Sequence, residues 1–93
     1  MHATMRYYAG NSELADQLAA RSDEIRSVIS AVPGFRAYYV LKLDDATVSI
    51  TVCDDEAGTA ASTQVAADWI RENMPDLSSS PPMVSSGTVT LSA

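Results

Sequence analysis

An α+β fold with the element order strand, helix, strand, strand, helix, strand is what this sequence predicts, on three observations. Four segments alternate apolar and polar residues with the period of a strand, and two longer segments repeat apolar residues at helical spacings. The two kinds of segment interleave in the βαββαβ order of the ferredoxin-like arrangement. With 93 residues, 46% of them hydrophobic and 19% charged, the chain supports one small core and a single domain over residues 1–93.

The first strand is His2 to Tyr8, where Ala3, Met5 and Tyr7 alternate with His2, Thr4, Arg6 and Tyr8. Gly10, Asn11 and Ser12 break the alternation, and Asn11 or Ser12 can accept from the free amides at a helix start, with Glu13 and Asp16 near its positive end. Leu14, Leu18, Ile25, Val28, Ile29 and Val32 then share one helical face, which predicts a first helix over about residues 12–31. Pro33 and Gly34 stop it, because the residue before a proline disfavours helical angles and glycine admits a left-handed turn.

Phe35, Ala37, Tyr39, Leu41 and Leu43 alternate with Arg36, Tyr38, Val40 and Lys42 in a second strand. Asp44 and Asp45 turn the chain, and Val48, Ile50 and Val52 alternate with Thr47, Ser49, Thr51 and Cys53 in a third, so the pair is a hairpin. Asp54, Asp55 and Glu56 suit a helix N-terminus, and the second helix runs from about Glu56 to Asn73 with Ala57, Ala61, Val65, Trp69 and Ile70 along its stripe. Its small residues allow close approach to the sheet. Pro75 ends it, Ser78 to Pro82 form a linker, and Val84 with Thr88 to Leu91 form a last strand, with Gly87 expected at a bulge.

Composition excludes several classes of function. Six basic against twelve acidic residues give a net charge of −6, which repels phosphate backbones, so no nucleic-acid partner is expected. A single cysteine, Cys53, rules out an intramolecular disulfide and cysteine-cluster metal sites. No apolar run is long enough to span a membrane and the N-terminus reads as a strand, so a soluble cytoplasmic protein with no membrane partner is the expectation.

Right-handed crossovers place both helices on one side of the sheet, with the first and third strands in the middle. The hydrophobic pattern then assigns Ala3, Met5, Tyr7, Phe35, Ala37, Tyr39, Leu41, Leu43, Val48, Ile50 and Val52 to the helix side. The opposite face carries the mixed set, with Thr4, Arg6, Tyr8, Tyr38, Val40, Ser49, Thr51 and Cys53 among it. Such a face can pack against its own copy around a partly polar cavity, or stand open to solvent. Periodicity leaves both open.

The Val32-Pro33-Gly34-Phe35 turn, the strands Tyr38-Tyr39-Val40-Leu41 and Val48-Ser49-Ile50-Thr51-Val52, and the acidic entry Asp54-Asp55-Glu56 into a helix ending Ala66-Ala67-Asp68-Trp69-Ile70 resemble the dimeric α+β barrel proteins, which include the antibiotic biosynthesis monooxygenases. The resemblance covers roughly residues 3–77. It implies a homodimer whose sheets face each other, the last strand often reaching the partner. Members bind or oxidise aromatic and polyketide-like compounds, degrade haem, isomerise lactones or have no known activity. It also implies Asn, Trp and His side chains lining the pocket, yet the second helix carries Trp69 and Asn73 and no histidine.

On these grounds His2, the sole histidine, is the candidate base, against the plain reading of a frayed terminal residue. Arg36 and Arg6 are candidate clamps for a carboxylate or phenolate, against simple ion pairing. Tyr38 and Tyr8 can donate to a ligand oxygen and stack on a ring, or serve only as interface packing. Thr4, Val40, Ser49 and Thr51 complete the expected lining. Cys53 sits beside three acids that disfavour its thiolate, and Trp69 on an apolar stripe is read as core. No cofactor is expected: one histidine and one cysteine cannot build a transition-metal site within one chain, although a dimer can juxtapose two His2. The expected function is a homodimer binding a small aromatic or polyketide-like molecule between its two sheets. The alternatives are a cofactor-independent monooxygenase and a small interaction or regulatory module using an exposed strand edge.

Overall fold

The structure is a computed structural model that describes residues 1–77 and 81–93. β1 (His2–Ala9) is followed by α1 (Glu13–Ala20), α2 (Ser22–Ile29), β2 (Phe35–Lys42), β3 (Ala46–Cys53), α3 (Glu56–Asn73), a 3-10 turn (Pro75–Leu77) and β4 (Met83–Thr88). The strands form one antiparallel sheet in the order β2-β3-β1-β4, with β1 and β3 central as predicted. This is the ferredoxin-like α+β fold.

Local chemistry explains most boundaries. Asn11 Oδ1 accepts from the Leu14 amide at 3.3 Å, and the buried Thr47 hydroxyl donates to the Asn11 carbonyl at 2.7 Å while accepting from the Ala15 amide at 3.0 Å, so β3 holds the start of α1 in place. Gly34 takes the left-handed φ of +69° that its turn requires, and its carbonyl accepts from the Asp54 amide at 2.8 Å. Asp55 caps α3 by accepting from the Gly58 amide at 3.3 Å. A Cβ on Gly58 would lie 2.2 Å from the Pro33 carbonyl oxygen and 2.8 Å from Cys53 Cβ, so the first turn of α3 sits against β3 at a distance that excludes any side chain.

Three sequence expectations are corrected. The helix expected over residues 12–31 is two helices, broken at Arg21 (φ −119°, ψ 35°). The break lets Leu14 and Leu18 from α1 and Ile25 and Ile29 from α2 all reach the core. β4 lies earlier than expected, and Gly87 pairs in regular register with Ala3; the bulge is instead in β2 between Phe35 and Ala37. Of the expected linker, residues 78–80 lie outside the described residues, and Pro81 and Pro82 lead into β4.

The third correction matters most. The faces of the sheet are exchanged relative to the hydrophobic pattern. Thr4, Arg6, Thr47, Ser49, Thr51 and Cys53 are buried on the helix side, whereas Tyr39 (58%), Leu41 and Met5 (42% each) lie exposed on the other face with Met83. Phe35 alone of its alternating set faces the helices, because the bulge at Arg36 reverses the alternation: Phe35 pairs with Cys53, and Ala37 with Val52. The core is built of Tyr8, Leu14, Leu18, Ile25, Ile29, Ala66, Trp69, Ile70 and Met74, with Tyr38 and Val40 packed against it.

Candidate functional site

Arg6 is the centre of the helix-side polar cluster. It projects from the central strand β1 and is 0% exposed. Its Nε donates to Ser49 Oγ at 2.8 Å, Nη2 to Thr51 Oγ1 at 2.5 Å, and Nη1 to Ser62 Oγ at 3.3 Å and Thr63 Oγ1 at 3.0 Å. Two of these hydroxyls come from the neighbouring strand β3 and two from α3, so the guanidinium ties helix to sheet. Burial lowers its pKa, with partial compensation from Tyr8, Tyr38 and Cys53.

Two phenols flank this cation. Tyr38 is pushed up to about 12 by burial, with Arg6 opposing the shift, Tyr8 adding to it and Ser49 opposing it. Tyr8 is also raised, by burial first, against Arg6 and Ser49. Both phenols therefore stay protonated at neutral pH and act as hydrogen-bond donors. Arg6, Tyr8 and Thr63 line a pocket of about 380 Å³, with Ala67, Ile70, Leu77, Pro82 and Val84 as apolar walls. Arg71 lies at the rim, bonded to Asp68 at 2.6 Å. β1, α3 and β4 thus line a space that combines a few hydrogen-bond donors with apolar walls.

Of the residues singled out in the sequence, the structure brings together Arg6, Tyr8, Tyr38, Ser49 and Thr51. Thr4 is buried farther along β1, where its hydroxyl is 2.9 Å from Ser86 Oγ, and Val40 packs on the core beside Tyr38. His2 lies four residues from Arg6 on an extended strand, roughly 13 Å away; its Nδ1 is 2.7 Å from Thr59 Oγ1 in the first turn of α3. Arg36 sits on the exposed edge strand and pairs with Asp54, apart from the cluster. Cys53 is fully buried, and burial followed by Asp54 and Asp55 raises its thiol pKa. Trp69 is core, with the Arg21 guanidinium 5.1 Å from its ring centroid, and Asn73 binds Arg21 through its side chain at 3.0 Å. Sequence reasoning missed Ser62, Thr63, Ala67, Ile70, Leu77 and Val84. The hydroxyls of Thr59, Ser62 and Thr63, spaced along one side of the second helix, were the available signal.

Among the described residues there is no group of three or more His, Cys, Asp or Glu side chains placed to hold a metal, and no helix is long and apolar enough to cross a membrane. No protein-family model matches the chain, and no curated protein matches it in sequence. Solved structures do match in shape. NE2512, a protein of unknown function from Nitrosomonas europaea, superposes with a TM-score of 0.73 at 22% identity, over 99% of this chain and 91% of that one. The monooxygenase ActVA-Orf6 of Streptomyces coelicolor, in complex with nanaomycin D, gives 0.70 at 17% identity, over 99% and 89%. A mutant of SnoaB, a cofactor-independent oxygenase from Streptomyces nogalater, gives 0.56 at 18% identity, over 98% and 93%. The chain shares the α+β fold of these three proteins.

Proposed function

We propose that this protein is a homodimer that binds a small aromatic or polyketide-like molecule, one in each protomer, between the sheet and α3. The observation that carries this reading is the 380 Å³ pocket with apolar walls and the donors of Arg6, Tyr8 and Thr63 in its lining. Such a combination orients a ring-bearing ligand by a few polar contacts while apolar surface supplies affinity. In this reading the ligand lies beneath α3 and not between two sheets. The open sheet face, with Met5, Tyr39, Leu41 and Met83 exposed, supports self-association, because an apolar patch on a sheet is covered most simply by its own twofold copy.

Calorimetric titration with 2-naphthol tests the pocket. Binding is expected for the native protein and is expected to weaken about tenfold or more, roughly 1.4 kcal/mol, in Ala67→Trp, whose indole occupies the cavity. No binding, or equal binding by the variant, contradicts the reading.

The likeness of fold to a monooxygenase and to a cofactor-independent oxygenase favours a second reading, oxidation of the bound ring without a cofactor. Such chemistry needs a group to take a proton from the substrate. Tyr8 in the pocket lining and Tyr38 near Arg6 have raised pKa values and are poor proton acceptors at neutral pH, and His2 stands apart, so the side chains support binding more strongly than catalysis. Oxygen uptake with anthrone that disappears in Tyr8→Phe would overturn that preference.

A further inference from the structure

We infer that the pocket beneath α3 selects organic monoanions: compounds with one carboxylate or sulfonate on an apolar ring body. This inference rests on the reading of the pocket as a ligand site and names the class of ligand it takes.

The argument starts from the charges. The chain has six basic side chains. Five of them pair with carboxylates: Arg21 with Glu24, Arg26 with Asp23, Arg36 with Asp54, Lys42 with Asp16 and Arg71 with Asp68. Arg6 is the sixth. It is the fully buried one, and among the described residues it forms no ion pair, in a chain with twelve acids. A guanidinium without a counter-ion costs most where water is excluded, so this is the cation for which an external anion has the largest effect.

The hydrogen bonds point the same way. A guanidinium has five N–H donors, and hydroxyl oxygens accept four from Arg6, all neutral partners. Thr63, which accepts from Nη1 and lines the pocket, keeps its own hydroxyl proton to donate. Tyr8 does likewise, since burial keeps its phenol protonated. Among the described residues, every polar side chain lining the pocket, Arg6, Tyr8, Thr63 and Arg71, is therefore a donor, and no carboxylate lines it.

Size and sign narrow the class. The charge of Arg71 is already matched by Asp68, which leaves one unmatched positive charge for the site. Ala67, Ile70, Leu77, Pro82 and Val84 offer nothing to a second anionic group, and the net charge of −6 opposes polyanions.

The experiment is calorimetric titration of the native protein with 2-naphthoate and with its neutral isostere 2-naphthamide. Naphthoate is expected to bind at least tenfold more tightly. In Arg6→Met that preference is expected to vanish, and in Thr63→Val, which leaves the guanidinium in place, to shrink severalfold; the second variant carries the test if the first does not fold. Equal or tighter binding of the amide by the native protein overturns the charge inference alone, as does a preference unaltered in the variants. Failure of both compounds to bind overturns the pocket reading and this inference with it.

Discussion

Arg6 and Tyr38 show how a buried polar group is kept tolerable in so small a core. The guanidinium is solvated by the hydroxyls of Ser49, Thr51, Ser62 and Thr63 in place of water, which satisfies hydrogen bonding while leaving its charge unmatched. The same burial holds the Tyr38 proton on to about pH 12. The sign of the consequence follows from linkage. Above pH 10 the unfolded chain loses this proton first, so the folded state binds more protons and its stability falls as pH rises from 10 towards 12, by roughly 1.4 kcal/mol per pH unit at most from this group. Ultraviolet titration is expected to show a tyrosine ionising near pH 12 that is missing in Tyr38→Phe; a titration of Tyr38→Phe that keeps this late phase would contradict the assignment. The residues of this cluster were largely legible from the sequence, because Arg6, Tyr8, Tyr38, Ser49 and Thr51 fall on one side of the alternating strands. What alternation could not show was Arg36, of the same type and the same nominal face, diverted to Asp54 at the bulged edge.

At the scale of elements, strands and helices were legible wherever a local chemical signal ends them. Asp55 marks the start of α3, Gly34 the turn into β2, and the Asp44–Asp45 pair the hairpin. The break at Arg21 was not, because the apolar spacing from Leu18 to Ile25 is equally compatible with a continuous helix. The stripe of α3 was displaced too: the buried positions are Gly58, Thr59, Ser62, Ala66, Trp69 and Ile70, one residue on from the alanine series that hydrophobicity favours. Gly58 explains the choice, since it is where the helix touches the turn at Pro33. Gly58→Ala is expected to lower stability by about 2 kcal/mol or more in urea unfolding, because the added methyl meets a backbone carbonyl that cannot move aside cheaply. A change within about 0.5 kcal/mol, the range of an ordinary surface substitution, would show that α3 can shift without cost.

For the whole molecule, the ferredoxin-like order of strands was readable and the sidedness of the sheet was not. Alternation divides a strand into two sets, and the usual rule assigns the apolar set to the helices; here Thr4, Arg6, Ser49 and Thr51 are buried on the helix side instead, where Arg6 bonds Ser49 and Thr51 of β3 and the α3 hydroxyls of Ser62 and Thr63. The apolar set, with Tyr39 and Leu41 exposed, is left for a second copy under the proposed assembly. Light scattering is expected to give twice the 9.9 kDa chain mass for the native protein and the chain mass for Leu41→Glu, with the native circular dichroism retained. A native protein that is monomeric at micromolar concentration would remove the homodimer from the proposal. The placement of the ligand is tested most directly by amide chemical-shift mapping during titration with 2-naphthol. The account predicts that the largest shifts fall on Arg6, Thr63, Ala67 and Val84, around the space beneath α3; shifts concentrated on Tyr39, Leu41, Ile50 and Val52, with those four residues unmoved, would contradict it.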